Sequence, residues 1–390
     1  MNFKFIDLFS GIGGFHQAMK KLGGTCVFAS EIDKFCNEEY KLNYGINSDI
    51  NIRDVKEEDI PVHDVLCAGF PCQAFSKAGK QLGMEDKTRG TLFFEIVRIL
   101  KYHHTKFIVL ENVRNIISHD NGNTWRVIQE SLRELGYRTT KEPLILSPHY
   151  FGIPQIRERV IILGKYDPNN IDKPLVIELE SFKSKNDNSI YSVLDENVQD
   201  ESYNISPYEE KVLTAWNEFY QGITMKTIGF PVWADYFRYT GKVNNLPSWK
   251  ANFIEKNIKL YKDNKNFIDK WLKKYNDLSE FAKTHHKFEW QCGTNIDNIW
   301  EGVIQFRPSG VRVKMPNNFQ ALVAMVQVPI IGKYRRRLTV QEAARLQSFP
   351  CDDKDDRFIP DSNKQQAFKQ LGNSVNVEVI RKASEALFKN

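Results

Sequence analysis

Hydrophobic and polar positions in the first 165 residues follow two alternating patterns. Short runs of β-branched or aromatic residues are separated by longer stretches in which apolar residues recur at helical spacing. This order is typical of an α/β fold with a doubly wound sheet. The predicted strands cover residues 3–9, 25–30, 64–68, 107–110 and 160–163, and the predicted helices include 14–22, 91–103 and 125–135.

The pattern changes after Gly164. The alternation ends, asparagine and lysine become frequent, and the next stretch holds six of the seven tryptophans: Trp216, Trp233, Trp249, Trp271, Trp290 and Trp300. An amphipathic helix is predicted here. Its apolar face carries Phe267, Ile268, Trp271, Leu272 and Tyr275, and its polar face carries Asp269, Lys270 and Lys273. We expect a second, smaller domain whose core is partly aromatic and contains most of these tryptophans.

An apolar periodicity returns from about residue 338, and residues 367–388 are predicted to form a loop that leads into a closing helix. We assign this last piece to the first domain. The expected division is therefore one domain of residues 1–165 and 366–390 and a second of residues 166–365. A chain of 390 residues is long enough for two such domains.

Composition narrows the class of protein. The chain is 41% hydrophobic and 26% charged, and no apolar run approaches the roughly 18 residues that a membrane span needs. The first residues lack the pattern of a secretion signal, so we expect a cytoplasmic location and no membrane partner. The net charge of +5 agrees with a polyanionic partner without requiring one. The basic run 333–337 is equally consistent with a solvated surface and with phosphate contact.

The six cysteines are Cys26, Cys36, Cys67, Cys72, Cys292 and Cys351. They include no Cys-x-x-Cys pair, and no histidine lies at zinc-ligand spacing from them. We therefore expect neither a disulfide framework nor a metal site.

A glycine-rich loop follows the first predicted strand in the segment DLFSGIGGF. Gly11, Gly13 and Gly14 allow a sharp turn and a close approach of backbone to a ligand at the start of a helix. A dinucleotide fingerprint would need a third glycine or alanine where His16 stands. Glu31, at the end of the second predicted strand, is placed to accept hydrogen bonds from ribose hydroxyls. A purely structural turn is the alternative interpretation.

Cys72 follows the third predicted strand in the segment GFPCQAFS. It should lie at the carboxyl edge of the sheet, where open α/β proteins build their sites. A buried cysteine that acts as a small hydrophobe is the commoner case, and we expect it for Cys67. Cys72 differs because Pro71 precedes it and a polar, glycine-rich loop follows it. Such a loop suits a reactive thiolate.

Three ionisable residues near later strands could join this site. Glu111 follows the fourth predicted strand and should emerge beside the cysteine loop, where a buried carboxyl could serve as a general acid. The alternative is a residue that only caps the next turn. Arg157 and Arg159 alternate in QIRER, so both could point into the site from one strand face. Alternatively, they balance surface carboxylates such as Glu158.

These segments, in their order, resemble the cytosine carbon-5 DNA methyltransferase family, and most closely its compact bacterial members that accompany restriction enzymes. The resemblance covers about 1–165 and 335–390. It rests on DLFSGIGGF, the acid Glu31, Asp49-Ile50, GFPCQAFS, RGTLFFE, LENV, QIRER, RRLTVQEAARLQSFP and QLGNSV. It implies an S-adenosylmethionine-dependent methyltransferase sheet of the Rossmann-like kind, with a smaller target-recognition domain inserted into it.

The resemblance also implies roles for single residues. Cys72 would be the nucleophile, Glu111 the acid that donates to the cytosine ring, and Arg159, with Arg157 beside it, would hold the base. The S-adenosylmethionine site would consist of Phe9, Gly11, Ile12, Gly13, Gly14, Glu31, Ile32, Asp49, Ile50, Pro71, Leu92, Asn373 and Val375. Family members often carry an aromatic residue where this chain has Ile32.

The reaction requires a base outside the DNA stack, because a thiol cannot reach cytosine carbon 6 inside a duplex. A mobile catalytic loop is expected over residues 72–90, and we expect its members to include Gln73, Ser76, Gly79, Gly83 and Gly90. The expected partner is double-stranded DNA, bound by a monomer that protects sites from a cognate restriction endonuclease. The alternatives are an RNA cytosine-5 methyltransferase, a catalytically silent DNA-binding homologue and a dinucleotide-dependent oxidoreductase.

Overall fold

The computed structural model describes residues 2–71, 92–179, 188–242, 246–322, 327–354 and 356–390. The chain forms two compact units. The first contains Met1–Asn188, Gln320–Ala324 and Ala343–Asn390, and the second contains Ser189–Phe319 and Met325–Glu342. The first unit thus includes residues 166–188 and 343–365, which the sequence pattern had placed in the second domain.

The first unit begins with alternating strands and helices. They are β1 (Phe3–Leu8), α1 (Gly14–Lys21), β2 (Gly24–Ser30), α2 (Lys34–Tyr44), β3 (Val65–Gly69), α3 (Leu92–His103), β4 (Phe107–Val113), α4 (Asn123–Glu134), β5 (Tyr137–Thr139), β6 (Leu144–Leu146), β7 (Gln155–Ile156) and β8 (Arg159–Tyr166). All five predicted strands and all three predicted helices are present. The elements α2, β5, β6 and β7 were not predicted.

The main sheet of this unit has the strand order β2-β1-β3-β4-β8-β5, with β6 also paired to β8. Strands β1 to β4 are parallel, whereas β8 is antiparallel to its neighbours β4, β5 and β6. The α/β class is therefore confirmed. The chain leaves β1 toward β2 on one side and returns to β3 on the other. Ligands bind at such a switch point, beyond the carboxyl ends of the strands.

Strand β4 is longer than predicted. Its pairing with β8 continues through Glu111, opposite Ile161, to Val113, opposite Arg159. Glu111 therefore lies inside the strand, and the prediction that it follows the strand end was wrong. The parallel strand β3 ends earlier, with Gly69 opposite Glu111. Glu111 consequently still lies at the carboxyl edge of β3.

The second unit combines helices with a mixed sheet. Its elements are α5 (Pro207–Gly222), β9 (Val232–Trp233), α6 (Ser248–Asp263), α7 (Lys265–Lys274), β10 (Lys287–Gln291), β11 (Val303–Arg307), β12 (Gly310–Lys314), β13 (Phe319–Gln320, across the boundary), β14 (Ile330–Ile331) and β15 (Arg336–Arg337). The six-stranded sheet has the order β15-β14-β11-β12-β10-β9.

Aromatic residues fill the core of the second unit. The fully buried Trp216 ring stacks on Phe288 with ring centroids 5.0 Å apart, and its indole nitrogen donates to the His285 carbonyl at 2.9 Å. Trp271 and Trp290 are also buried, whereas Trp249 is 59% exposed. Trp300 is half-buried against the same core, so four of the six tryptophans serve core packing, as predicted. The apolar face predicted for α7 also packs against this core.

The basic run 333–337 is largely neutralised within the second unit. Arg335 pairs with Glu210 and Arg337 with Glu209. Arg336 is buried and pairs with the fully buried Glu342 at 2.7 Å. These pairs favour a structural role for the three arginines over phosphate contact.

The chain closes with α8 (Val340–Leu346), α9 (Lys364–Asn373) and α10 (Val377–Phe388). Residues 367–373 are helical, so the loop predicted there was wrong. The reason is a helix cap, because the Asn363 side chain accepts from the backbone amides of Gln365 and Gln366. In the described ranges, no helix has the length and apolarity needed to cross a membrane.

The buried aromatic cluster yields a stability prediction. Trp216→Ala should lower the free energy of unfolding by about 3–5 kcal/mol, because it leaves a cavity around Phe288. Urea unfolding monitored by circular dichroism measures this loss. Trp249→Ala is the control, and its exposed ring predicts a change below about 0.5 kcal/mol. Equal losses in both variants would contradict the assigned core.

Candidate active site

The carboxyl ends of the parallel strands bring together most of the residues singled out from the sequence. The glycine loop follows β1, Glu31 follows β2 and Pro71 follows β3. Glu111 lies on β4 beside the end of β3. The candidate site therefore occupies the edge of the sheet that the fold predicts for ligands.

The glycine loop is a strained turn. Phe9, Gly11 and Gly13 have φ angles of 56°, 52° and 83°, and Gly13 directly precedes α1. A β-carbon added at Gly14 would lie 2.6 Å from the Val375 side chain, so the loop is in close contact with the chain just after α9. Ile12 is buried within the turn. Glycine adopts a left-handed backbone without strain and leaves room for so close an approach, whereas Phe9 holds its left-handed conformation at an energetic cost.

The Glu31 carboxylate is fixed by backbone amides. One oxygen accepts from Gly11 at 2.9 Å, and the other accepts from Ile32 at 2.7 Å and Asp33 at 2.8 Å. A carboxylate offers about four acceptor sites, so it can also accept from ligand hydroxyls. The structure thus places Glu31 in contact with the glycine loop.

Asp49 and Ile50 lie next to Glu31. Asp49 forms a parallel bridge with Glu31, and the Ile50 amide donates to the Glu31 carbonyl at 3.3 Å. The buried Asn37 side chain donates to Asp49 at 3.1 Å and to the Glu31 carbonyl at 3.3 Å. Asn37 was not singled out from the sequence, where nothing distinguishes it from other polar residues of α2.

The remaining predicted cofactor residues have varied environments. Ile32 is 73% exposed beside Glu31. Leu92 is the first residue of α3 and half-buried, and Asn373 is the exposed last residue of α9. Cys72 and the predicted loop residues Gln73, Ser76, Gly79, Gly83 and Gly90 lie outside the described residues.

Glu111 and Arg159 form an ion pair at the carboxyl edge of the sheet. The Arg159 guanidinium donates to the Glu111 carboxyl at 2.9 Å, and the two side chains are only 21% and 12% exposed. Burial raises the pKa of Glu111 above its ordinary value, although the charges of Arg159 and Arg157 act in the opposite direction. Such a carboxyl can hold a proton and donate it to a substrate.

Arg157 is more deeply buried than Arg159. Its guanidinium donates to two backbone carbonyls, those of Leu322 at 3.3 Å and Ser374 at 2.8 Å. Burial and the charge of Arg159 lower its pKa to about 9, which leaves it charged at neutral pH. Arg157 therefore contributes positive charge near Glu111 and ties together three segments of the first unit.

Arg157 and Arg159 do not pair with the carboxylate of Glu158, which was the alternative interpretation of these two arginines. The carboxylate of Glu158 pairs with Arg114 at 2.6 Å. Both Arg157 and Arg159 instead act electrostatically on Glu111. The sequence alone could not separate these interpretations.

The backbone of residues 69–70, which leads to Cys72, lies beside Glu111 and is held there by hydrogen bonds. Gly69 lies opposite Glu111 in the sheet, and a β-carbon added there would lie 3.9 Å from both the Glu111 carboxyl and the Val375 side chain. The buried Asn112 side chain donates to the Phe70 carbonyl at 2.8 Å. The described chain continues to Pro71, one residue before Cys72.

Comparisons with known proteins agree with this geometry. The family model for C-5 cytosine-specific DNA methylase matches residues 3–389. The chain is 31% identical to the Type II methyltransferase M.AluI of Cellulosimicrobium cellulans, over 97% of this chain and 90% of the relative. It is 34% identical to the Type II methyltransferase M.BanI of Aneurinibacillus aneurinilyticus, over 100% of this chain and 96% of the relative.

Solved structures share the fold at lower identity. The Entamoeba histolytica methyltransferase EhMeth is 18% identical with a TM-score of 0.55, over 100% of this chain and 98% of that one. A Spodoptera frugiperda DNMT2 variant is 21% identical with a TM-score of 0.54, over 99% of each chain. The fold and site define a Rossmann-like methyltransferase. The chain belongs to the C-5 cytosine-specific DNA methylase family, and it is accordingly an enzyme that methylates cytosine in DNA at carbon 5.

The ion pair yields a prediction about protonation. Arg159→Gln should raise the pKa of Glu111 further, because it removes a cation that favours the charged carboxylate. Carbon-13 NMR of labelled glutamate carboxyls, assigned with Glu111→Gln, measures the titration. Arg114→Gln is the matched control, since its guanidinium pairs with Glu158. An unchanged or lowered pKa in Arg159→Gln would contradict the assignment.

Proposed function

We propose that this chain transfers a methyl group from S-adenosylmethionine to carbon 5 of a cytosine flipped out of a specific short site in duplex DNA. The observation that carries the proposal is the position of the buried Glu111 carboxyl. It pairs with Arg159, it lies opposite Gly69 in the strand that leads to Cys72, and burial raises its pKa. A proton donor beside a nucleophile is what addition to a cytosine ring requires.

The first step uses Cys72 and Glu111. The Cys72 thiolate forms a bond to carbon 6, while the electron pair of the carbon 5–carbon 6 double bond shifts toward ring nitrogen 3. Glu111 supplies a proton to that nitrogen, which requires its neutral form at the moment of attack. Burial favours this form. Arg159 holds the ring from the same edge through its charge near the exocyclic oxygen.

Carbon 5 becomes nucleophilic after this addition. S-adenosylmethionine, when bound, would supply the methyl group that bonds to carbon 5, and S-adenosylhomocysteine would leave with the electron pair of the broken bond between sulfur and methyl. Loss of the proton on carbon 5 to a base and breakage of the bond between sulfur and carbon 6 then restore the aromatic ring. Glu111 takes back the proton from ring nitrogen 3 and Cys72 leaves as the thiolate, so the enzyme groups return to their starting states.

The described residues fit the adenosine part of this cofactor. The Glu31 carboxylate has acceptor sites beyond its three backbone donors and can receive ribose hydroxyls. The exposed Ile32 side chain beside it offers apolar surface to the adenine ring. Asp49, held by Asn37, supplies a further acceptor at the same edge. Phe9, the glycine loop, Ile50, Pro71, Leu92, Asn373 and Val375 would complete the site.

The cytosine must leave the helix for this chemistry, since stacking blocks access to carbon 6. We assign closure over the extruded base to residues 72–90. The second unit, with its sheet and basic helices, is the target-recognition part that reads the DNA sequence. The first unit, which includes residues 343–390, is the catalytic part. DNA is bound by a monomer in this proposal.

The relatives support a biological role in restriction and modification. M.AluI and M.BanI are named Type II methyltransferases. By this likeness, the chain protects DNA from a cognate restriction endonuclease that acts on the same site. The alternative of a silent DNA-binding homologue is disfavoured because Cys72 and Glu111 are both present. The other alternative is methylation of RNA, and the experiment must distinguish it from methylation of DNA.

Bisulfite sequencing tests the reaction. Plasmid DNA from a host without its own cytosine methylation should contain protected cytosines in one short motif when this chain is expressed. Cys72→Ser should abolish protection, because the hydroxyl is a far weaker nucleophile than a thiolate. In vitro transfer to duplex DNA and to transfer RNA, measured side by side, identifies the substrate. Soluble protein that protects no cytosine, or that methylates only RNA, would contradict the proposal.

The cofactor assignment gives a separate prediction. Glu31→Gln should weaken binding of S-adenosylmethionine about 10- to 100-fold, because hydrogen bonds to a charged acceptor contribute about 1.5–3 kcal/mol. Isothermal titration calorimetry measures the Kd. Glu38→Gln is the matched control, because Glu38 is exposed on the neighbouring helix α2 and pairs there with Lys34. Unchanged affinity in Glu31→Gln would remove Glu31 from the site.

A further inference from the structure

A cluster of aromatic and titratable side chains lies behind the glycine loop, and the proposed mechanism does not use it. The cluster consists of Asp7 on β1, His16 on α1, and Tyr40 and Tyr44 on α2. Asp7 and Tyr40 are fully buried, and His16 is 7% exposed. Such buried polar groups are costly unless they are bonded to one another.

Tyr44 contacts the loop directly. Its hydroxyl donates to the Ile12 carbonyl at 3.0 Å and lies 3.3 Å from the Gly13 carbonyl. A β-carbon added at Gly13 would lie 2.3 Å from the Tyr44 ring. The ring and the hydroxyl of Tyr44 therefore touch the turn from which α1 begins.

His16 holds the Tyr44 ring in place. The two rings are stacked, with centroids 3.9 Å apart and an interplanar angle of 15°. The lowered pKa of His16, to about 3, follows mainly from burial and leaves the ring neutral at physiological pH. A neutral ring can donate from Nδ1 to the Tyr40 hydroxyl, 2.8 Å away. His16 occupies the position where a dinucleotide fingerprint would have a small residue.

Tyr40 and Asp7 anchor His16. The Tyr40 hydroxyl donates to the Asp7 carboxyl at 3.4 Å, and the His16 backbone amide also donates to Asp7. Burial raises the pKa of Asp7 well above its ordinary value, which favours the neutral carboxyl inside the cluster. The chain of contacts runs from strand β1 through two helices to the carbonyls of the glycine loop.

We infer that Tyr44 is a positioning residue for S-adenosylmethionine, held by His16 and Tyr40 so that its hydroxyl fixes the glycine loop in the binding conformation. The inference rests on the proposed use of this cofactor. Tyr44 acts through the backbone carbonyls of Ile12 and Gly13 and does not touch the reacting atoms. Preorganisation of a loop strengthens binding because less freedom is lost when the ligand binds.

The test removes one hydroxyl group. Tyr44→Phe keeps the ring stacked on His16 and should raise the Kd for S-adenosylmethionine about 3- to 10-fold in calorimetry, the loss expected for one neutral hydrogen bond. Steady-state kinetics should show a matching rise in KM for S-adenosylmethionine, with kcat changed less than about 2-fold. His16→Phe, which keeps a ring but removes the bond to Tyr40, should have a smaller effect in the same direction.

Tyr137→Phe is the matched control. The buried Tyr137 hydroxyl also donates to a backbone carbonyl, that of Thr105 at 2.8 Å, but on the distant strand β5. Both variants should lower Tm similarly, and only Tyr44→Phe should weaken cofactor binding. Wild-type affinity in Tyr44→Phe, or equal weakening in both variants, would overturn the inference while the proposed function stands. Wild-type protein that binds no S-adenosylmethionine would overturn both.

Discussion

The site depends on the burial of one carboxyl group beside two guanidinium groups. Glu111 lies opposite Gly69, the last residue of β3, at the point where β4 continues alongside β8. Burial favours its protonated form, and the positive charges of Arg159 and Arg157 limit that effect. A carboxyl balanced in this way can give up a proton and take it back during one reaction cycle.

Contacts within the first unit also fix the position of the glycine loop relative to the Glu111 carboxyl. Val375 touches Gly14 of the glycine loop and lies near Gly69, the register partner of Glu111. Arg157 binds the carbonyl of Ser374 just before it. The end of the chain is thereby joined to both the glycine loop and the acid. This arrangement explains why residues far apart in sequence form one edge.

Much of the fold was predictable because buried parallel strands produce continuous apolar runs, as in β3 and the first half of β4. The helix α2 was missed because its apolar residues form no continuous stripe, and α9 because its start depends on the Asn363 cap. The candidate site was predictable where chemistry fixes the residue type, as for Glu31 and Glu111. The partners of Arg157 and the role of Tyr44 depend on tertiary contacts between distant segments, which local patterns do not specify.

The central claim is that Cys72 attacks the cytosine ring while Glu111 protonates it. The most direct measurement is mass spectrometry of the protein incubated with S-adenosylmethionine and duplex DNA in which 5-fluorocytosine replaces cytosine. Fluorine at carbon 5 cannot leave as a cation, so elimination of the thiolate is blocked and the bond to sulfur persists. The account predicts a covalent adduct on the peptide containing Cys72, absent in Cys72→Ser. An adduct on another cysteine, or none with protein that methylates ordinary DNA, would contradict it.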